Sequence, residues 1–468
     1  MQSRILTSLA LAMLTASTAY AQSAEAASSA ASTNTSYAAY SVYTYSTSPA
    51  TGMAGRIVDT GGDSSTAITP HPDMSPTLTD TFTWNGDPTV QGFDLSSSAL
   101  RIAVTDYTGT AGQPIRIYNA TNGNLLTTVS SGWSNVANLY GLVKVGSYLY
   151  AIDYDNGRVV EINPSTYAQT GISYTLPSKT VSGTTYSPHG QALLAIGNTL
   201  YGLFSYANTG FTAYTNSELV KFSITGDFSI SVSDSNSSFA QNAYALTANG
   251  SNIYVASIGG EQTAGSYNTG SAIQSISYSG TLSGVTPTTV MSPSSTYPYN
   301  FLDISFNTNT SPATAYILMG AYNSDYSGTN GVLLSTTDFT NFTTIDTISN
   351  AGGYYWAAQY TSENKRLWYA RGNPIWVYDA SGTGTPVNVA ELTLTAGSLL
   401  SSGDPAYTNL SNFSFVDPPD HQRVLRGYRS PIQASNTAWA AKARAIAQGR
   451  PSLTKEEVEQ LNSESNKE

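Results

Sequence analysis

One short pattern recurs along the middle of the chain. An apolar stretch is followed by a glycine, two further residues, and then Leu or Ile joined to Tyr. It occurs as Tyr140-Gly-Leu-Val-Lys-Val-Gly146-Ser-Tyr-Leu149-Tyr150, as Gln191-Ala-Leu-Leu-Ala-Ile-Gly197-Asn-Thr-Leu200-Tyr201, and as Tyr244-Ala-Leu-Thr-Ala-Asn-Gly250-Ser-Asn-Ile253-Tyr254. Strand, tight turn and strand account for it, with glycine taking the positive φ that a short hairpin requires. Weaker copies flank these at Leu100-Arg-Ile-Ala-Val-Thr-Asp106, Ala315-Tyr-Ile-Leu-Met and Leu367-Trp-Tyr-Ala. The anchor positions 100, 149, 200, 253, 315 and 367 are therefore spaced by about 50 residues, with the widest step before 315.

A second hairpin follows each anchor, as in Pro114 to Val129, which turns at Asn122-Gly123, and in Arg158 to Thr166. Four short strands in about 50 residues make a propeller blade. Helical periodicity of 3.6 residues is absent between Tyr37 and Val416. The predicted fold is all-β, a β-propeller of about seven four-stranded blades. Six are clear. The seventh is expected to be a composite of both chain ends, from residues 398–417 with Asn412-Phe-Ser-Phe-Val416 and residues 37–58 with Tyr40-Ser-Val-Tyr-Thr-Tyr45. Such sharing closes the ring and removes free sheet edges. Tyr40, Tyr43 and Tyr45 alternate with small residues, which predicts half-buried strand faces with hydroxyls reaching water.

The segments Leu149-Tyr-Ala-Ile-Asp153 and Val159-Val-Glu-Ile-Asn-Pro-Ser-Thr166 resemble the bacterial propellers of the YVTN and quinoprotein-like group. Asn163 stands where that group's unit has Asp. The resemblance spans about residues 95 to 395 and implies the fold only, because propellers host lyases, dehydrogenases, glycosidases and pure binding scaffolds.

The ends differ from the repeats. Arg4, the apolar run Ile5 to Leu14 and the closing Ala19-Tyr20-Ala21 make residues 1–21 a secretory signal peptide, with cleavage expected after Ala21. The apolar run is too short to span a bilayer. Residues 22–36 are mostly Ala, Ser and Thr and are expected to be a flexible lead-in to a propeller at 37–417. The C-terminal tail, 418–468, is expected to be partly helical. Its segment His421 to Gly449 carries Arg423, Arg426, Arg429, Lys442 and Arg444 and no acids. Ala438 to Gln448 is Ala-rich, and Thr454 with Glu457 forms a capping box for a short acidic helix. The tail either packs on the propeller side as a helix, forms a partly disordered end, or docks a partner such as an anionic wall polymer or another protein.

Composition narrows the function classes. The chain has no Cys, which excludes disulfides, Cys-ligated metals and c-type haem. Only 10% of residues are charged and the net charge is −11, which argues against nucleic acid as a partner. No cofactor is expected: the six Trp do not recur at one blade position, as quinone-docking motifs would. No serine-nucleophile elbow, zinc-protease motif or phosphate loop is present. The three His, His71, His189 and His421, lie in unrelated contexts. Asp153-Tyr-Asp155-Asn156-Gly157 resembles part of a Ca²⁺ loop but is one residue short and lacks the downstream Glu, so a turn at Asn156-Gly157 is the stronger reading.

Candidate site residues come from aligning the repeats on their turn glycine. Eight residues before Gly146, Gly197 and Gly250 stand Asn138, His189 and Asn242; the same offset from Asn364 gives Trp356, and Asn300 fits the remaining late blade. Each is expected where an innermost strand begins, at the mouth of the central channel. Trp133, Tyr186, Tyr297, Tyr299, Tyr354 and Tyr355 stand nearby. Amides, one imidazole and aromatic rings suit a sugar or another neutral polar ligand. The same Asn and His residues also suit a plainer role, hydrogen-bonding local backbone where loops meet strands.

The first functional expectation is a non-catalytic binding or scaffold protein of the periplasm or cell surface. It would recognise a glycan, an envelope component or a protein through one propeller face. Three polar insertions support this, Tyr206 to Ser217, Gly259 to Ser271 and Asn323 to Gly331. The alternative is a propeller lyase or hydrolase acting on a polysaccharide or small molecule, with His189, Asp106, Asp153 and Asp303 as acid–base candidates. A carboxylate beside His189 would favour it.

Overall fold

The computed structural model describes residues 35–416 except 45–50, 62–67, 72–87, 97, 107–110, 225–228, 261–265, 324–328, 352–355, 372–374, 383 and 393–407. The signal peptide, nearly all of the lead-in and the tail lie outside the described residues. All regular structure described is β-strand, arranged as seven sheets. Among the described residues no helix is long and apolar enough to cross a membrane.

Blade 1 contains β1 (Ser36–Thr44), β2 (Thr51–Asp59) and β3 (Ile68–His71). Blade 2 is β4 (Pro88–Asp94), β5 (Leu100–Asp106), β6 (Ile115–Asn119) and β7 (Leu125–Val129). Blade 3 is β8 (Leu139–Val145), β9 (Tyr148–Asp153), β10 (Arg158–Ile162) and β11 (Gln169–Thr175). Blade 4 has an added short strand β12 (Lys179–Val181) before β13 (Thr184–Ile196), β14 (Thr199–Ala207), β15 (Tyr214–Ile224) and β16 (Ile230–Gln241). Blade 5 is β17 (Ala243–Asn249), β18 (Asn252–Ser257), β19 (Ala272–Ser277) and β20 (Thr288–Met291). Blade 6 is β21 (Asn300–Asn307), β22 (Thr314–Tyr322), β23 (Thr329–Thr336) and β24 (Thr343–Ala351), and blade 7 is β25 (Trp356–Thr361), β26 (Arg366–Arg371), β27 (Ile375–Asp379) and β28 (Val387–Leu392). The last strand, β29 (Thr408–Val416), returns to blade 1 and pairs antiparallel with β1, Tyr37 opposite Val416 and Thr44 opposite Thr408.

The expected composite blade is thus present, with the C-terminal strand innermost and three N-terminal strands outside it. The first strands of successive blades face one another around the axis, and β29 lies against β4. Ring closure also uses polar contacts between blades 7 and 1. Asn364 Nδ2 donates to Ser36 Oγ at 3.0 Å and to the Asp59 carbonyl at 3.2 Å. Buried Arg366 approaches buried Asp59 at 3.8 Å.

The repeated dipeptide has a clear physical purpose. Leu149 packs in the cluster between blades 2 and 3, and Tyr150 in the cluster between blades 3 and 4. Leu200 and Tyr201 do the same one blade on, between blades 3 and 4 and between blades 4 and 5. Ile253 joins that last cluster, and Tyr254 packs against the next. Adjacent strand residues point to opposite faces, so each dipeptide fills two inter-blade interfaces. Gly146, Gly197 and Gly250 make the turns at φ of 59°, 56° and 56°.

Burial on both sheet faces also corrects the tyrosine expectation. The Tyr43 side chain and Tyr45 lie outside the described residues, while Tyr40 is fully buried rather than half-buried, as are Tyr150 and Tyr206. Their neighbours on the next blade cover the second face. Tyr150 and Tyr206 satisfy their hydroxyls internally, donating to Glu161 Oε2 and Glu218 Oε2, each at 3.0 Å.

Candidate functional site

Strand register defines two ends of the propeller. In blade 3 the start of β8 opposes the end of β9, Leu139 against Asp153, and Asp153 in turn opposes Arg158 at the start of β10. The same holds for Ser187, Ala207 and Tyr214 in blade 4, and for Ala243, Ser257 and Ala272 in blade 5. In blade 6, Asn300 opposes Gly320, and Tyr322 opposes Thr329. The starts of the innermost strands and the loops between second and third strands therefore share one end, here termed the loop face. The Gly146, Gly197 and Gly250 hairpins lie on the opposite, turn face. The three insertions named from sequence all fall on the loop face. Two of them are shorter than expected, since β14 and β15 extend into the first and β23 into the third; the stretches between the strands are 208–213, 258–271 and 323–328.

Asn138, Asn242, Asn300 and Trp356 stand at or beside the loop-face end of an innermost strand, whereas His189 lies inside β13, which runs five residues further and pairs there with β12. Four consecutive blades carry a β-bulge just beyond this position, between Leu139 and Gly141, Gly190 and Ala192, Ala243 and Ala245, and Phe301 and Asp303. A bulge inserts one residue and re-aims the neighbouring side chains. The four polar residues are nevertheless buried, and they form local groups rather than one continuous ring. Asn242 adopts φ 52°, a left-handed conformation that Asn tolerates, and its carbonyl accepts from Ile258 N at 3.0 Å. Asn300 Oδ1 accepts from Asn268 N at 2.6 Å and so anchors the 258–271 loop. Both residues hold backbone.

Asn138 and His189 belong together. Tyr154 lies between them: its N–H donates to the Asn138 carbonyl at 2.9 Å, and its own carbonyl accepts from Gly190 N at 3.3 Å. The rings of Tyr140, Tyr154, His189 and Phe211 form a row of mutually tilted rings with successive centroid separations of 4.6, 4.8 and 4.8 Å. Asn138 Nδ2 donates to Asp155 Oδ1 at 3.2 Å, which orients the amide, and its Oδ1 has no partner. The His189 ring hydrogen-bonds the Tyr154 backbone, and its Nδ1 has no partner. Burial lowers the His189 pKa to about 4, so the ring is neutral.

Asp153 sits under this group, fully buried. Its Oδ1 accepts from Asn138 N at 2.8 Å and Ala137 N at 3.2 Å, and Oδ2 accepts from Asn156 Nδ2. Burial raises its pKa to about 6, opposed by these donors. The Asp153–Gly157 segment is a turn between β9 and β10, with Gly157 at φ 56°. Asp303 makes a similar staple to the next blade, accepting from Ala358 N at 3.0 Å and Gln359 Nε2 at 2.9 Å. Both acidic candidates thus hold strands in place, and the Asp106 side chain lies outside the described residues. No carboxylate contributes to the His189 environment, so the pairing that would favour acid–base chemistry is not formed among the described residues. Nor do three His, Asp or Glu residues gather there as metal ligands.

The aromatic candidates divide differently. Trp133 is a correction: it is 1% exposed, packs between blades 2 and 3, and donates Nε1–H to the Tyr167 carbonyl at 2.9 Å. A polar loop carries it, but its large apolar surface plugs the interface. Tyr186 packs against the blade 3–4 cluster. Tyr297 meets Phe342 edge-on at 5.9 Å, and Tyr299 packs against the same cluster. Tyr354, Tyr355 and the Trp356 side chain lie outside the described residues.

No family model matches the chain, and no curated protein matches it. Solved structures are similar to it at low identity. A functionally unknown protein from Desulfotomaculum acetoxidans DSM 771 is 10% identical over 81% of this chain and 99% of that one, with a TM-score of 0.44. A nidogen/laminin complex gives 9%, 81%, 98% and 0.38 for the same measures. The Dos1 propeller gives 9%, 66%, 71% and 0.40. The seven sheets themselves carry the propeller assignment.

Sequence reasoning missed Tyr154 and Phe211. Tyr154 stood inside a segment read only as a turn. Phe211 is an aromatic residue in an otherwise polar loop, beside Gly210, and that contrast was the available signal.

Proposed function

We propose that this protein is a non-catalytic binding scaffold of the periplasm or cell surface, and that its loop face recognises a glycan or another envelope component. The observation that supports the reading most is the gathering of the long loops and the row of rings at His189 at one end of the propeller, set by strand register. Loops mounted on a rigid scaffold are where recognition concentrates. The signal-like residues 1–21 support export, and local sequence similarity supports kinship with exported bacterial propellers. Its test is a thermal-shift screen of the protein against glycans, cell-wall fragments, nucleotides, quinones and divalent metals. A reproducible rise with a glycan or wall fragment is expected. A rise confined to nucleotides, quinones or metals would contradict the reading.

A further inference from the structure

We propose that Asn138, Tyr154, His189 and Phe211 form a subsite for one uncharged, hydroxyl-bearing sugar ring. The inference rests on the loop-face reading above and makes it specific. Its first support is a pair of unpartnered buried polar atoms. Asn138 is 3% exposed and His189 is 6% exposed, yet Asn138 Oδ1 and His189 Nδ1 have no hydrogen-bond partner. The ring of the neutral imidazole bonds the Tyr154 backbone, and Nδ1 is left without a partner, a donor or an acceptor according to which nitrogen carries the proton. A ligand that completes both atoms must donate to Asn138 Oδ1 and either donate to or accept from Nδ1, and hydroxyl groups do both.

The second support is Phe211. It is partly exposed and holds φ 54°, a conformation costly for a bulky residue. The surrounding loop enforces it. Asn208 Oδ1 accepts from Thr212 N at 2.9 Å and Ala213 N at 3.0 Å, and the Asn208 carbonyl accepts from Phe211 N at 2.9 Å. The result is a ring packed at a tilt against His189 at the loop face. Aromatic faces beside unpartnered polar atoms suit the C–H faces and hydroxyls of a pyranose. The Asp155 carboxylate beside Asn138 adds negative charge, so the site disfavours anions such as uronates.

The test is calorimetric titration of the full chain with cellopentaose, chitopentaose and pentagalacturonate. At least one neutral oligosaccharide is expected to bind at least tenfold more tightly than pentagalacturonate. Phe211→Ala and His189→Phe, which keeps an aromatic ring but removes the ring nitrogens, should each weaken that binding about tenfold or more with the melting temperature little changed. Tighter binding of pentagalacturonate, or no binding of either neutral probe, overturns the subsite. If both variants bind like the parent while a Gly-Ser replacement of 258–271 abolishes binding, the subsite is wrong and the loop face stands. If binding survives all three changes, both fail.

Discussion

A chain ending at residue 407 is expected to lose cooperative unfolding, whereas a chain ending at Val416 should keep it. The nine residues between these ends form β29, the innermost strand of blade 1. Without β29 the inner edge of β1 is open, and β4 loses the strand it lies against. Buried residues such as Tyr40 and Ala39 in β1 would then meet water. Fully burying one large apolar side chain is worth roughly 1.5–3 kcal/mol, and several would be exposed at once against a typical stability of about 5–15 kcal/mol. Urea titration followed by tryptophan fluorescence distinguishes the outcomes. Cooperative unfolding at parental urea concentrations in the 407-residue chain would show that the ring does not depend on this closure.

The second large effect concerns pH. Asp153 and His189 flank the Tyr154 backbone and carry opposite linkages to stability. The Asp153 pKa is raised to about 6 in the folded protein from 3.8. Its contribution is fully present below 3.8 and is lost as pH rises through about 6. The His189 pKa is lowered to about 4 from 6.5. Its contribution is present above 6.5 and is lost as pH falls through about 4. At about 1.36 kcal/mol per pKa unit, each is on the order of 3 kcal/mol, so the two nearly cancel between pH 4 and 6.5. Single variants should break the balance. Relative to the parent, His189→Gln should gain stability as pH falls from about 7 to about 4. Asp153→Asn should lose stability, relative to the parent, over the same fall. Denaturant unfolding at intermediate pH values reads both slopes, and two flat differences would remove this account of the pair.

How much of this was legible in the sequence follows from which residues have local causes. The blade period was readable because Gly146, Gly197 and Gly250 each meet a backbone demand and each Leu–Tyr or Ile–Tyr dipeptide fills two interfaces. The composite blade was readable because strand-like segments at both ends had no other partner. Counting back from the turn glycines located the loop-face ends of the innermost strands except in blade 4, yet not what each residue does there. Asn242 answers a left-handed backbone and Asn300 holds a loop, both local needs that mimic a ligand-binding pattern. Trp133 was misread because composition alone does not tell a plug from a platform. The row of rings at His189 was hidden because Tyr154 and Phe211 reach it from different blades, across distances that no repeat alignment encodes.

The most direct measurement of the central claim is hydrogen–deuterium exchange of the full chain, alone and with the strongest glycan or wall fragment from the thermal-shift screen. The account predicts slowed exchange at 154–157, 208–213 and 258–271 on the loop face, with the Gly146, Gly197 and Gly250 hairpins unchanged. Protection confined to those hairpins, with the three loops unaffected, would contradict it.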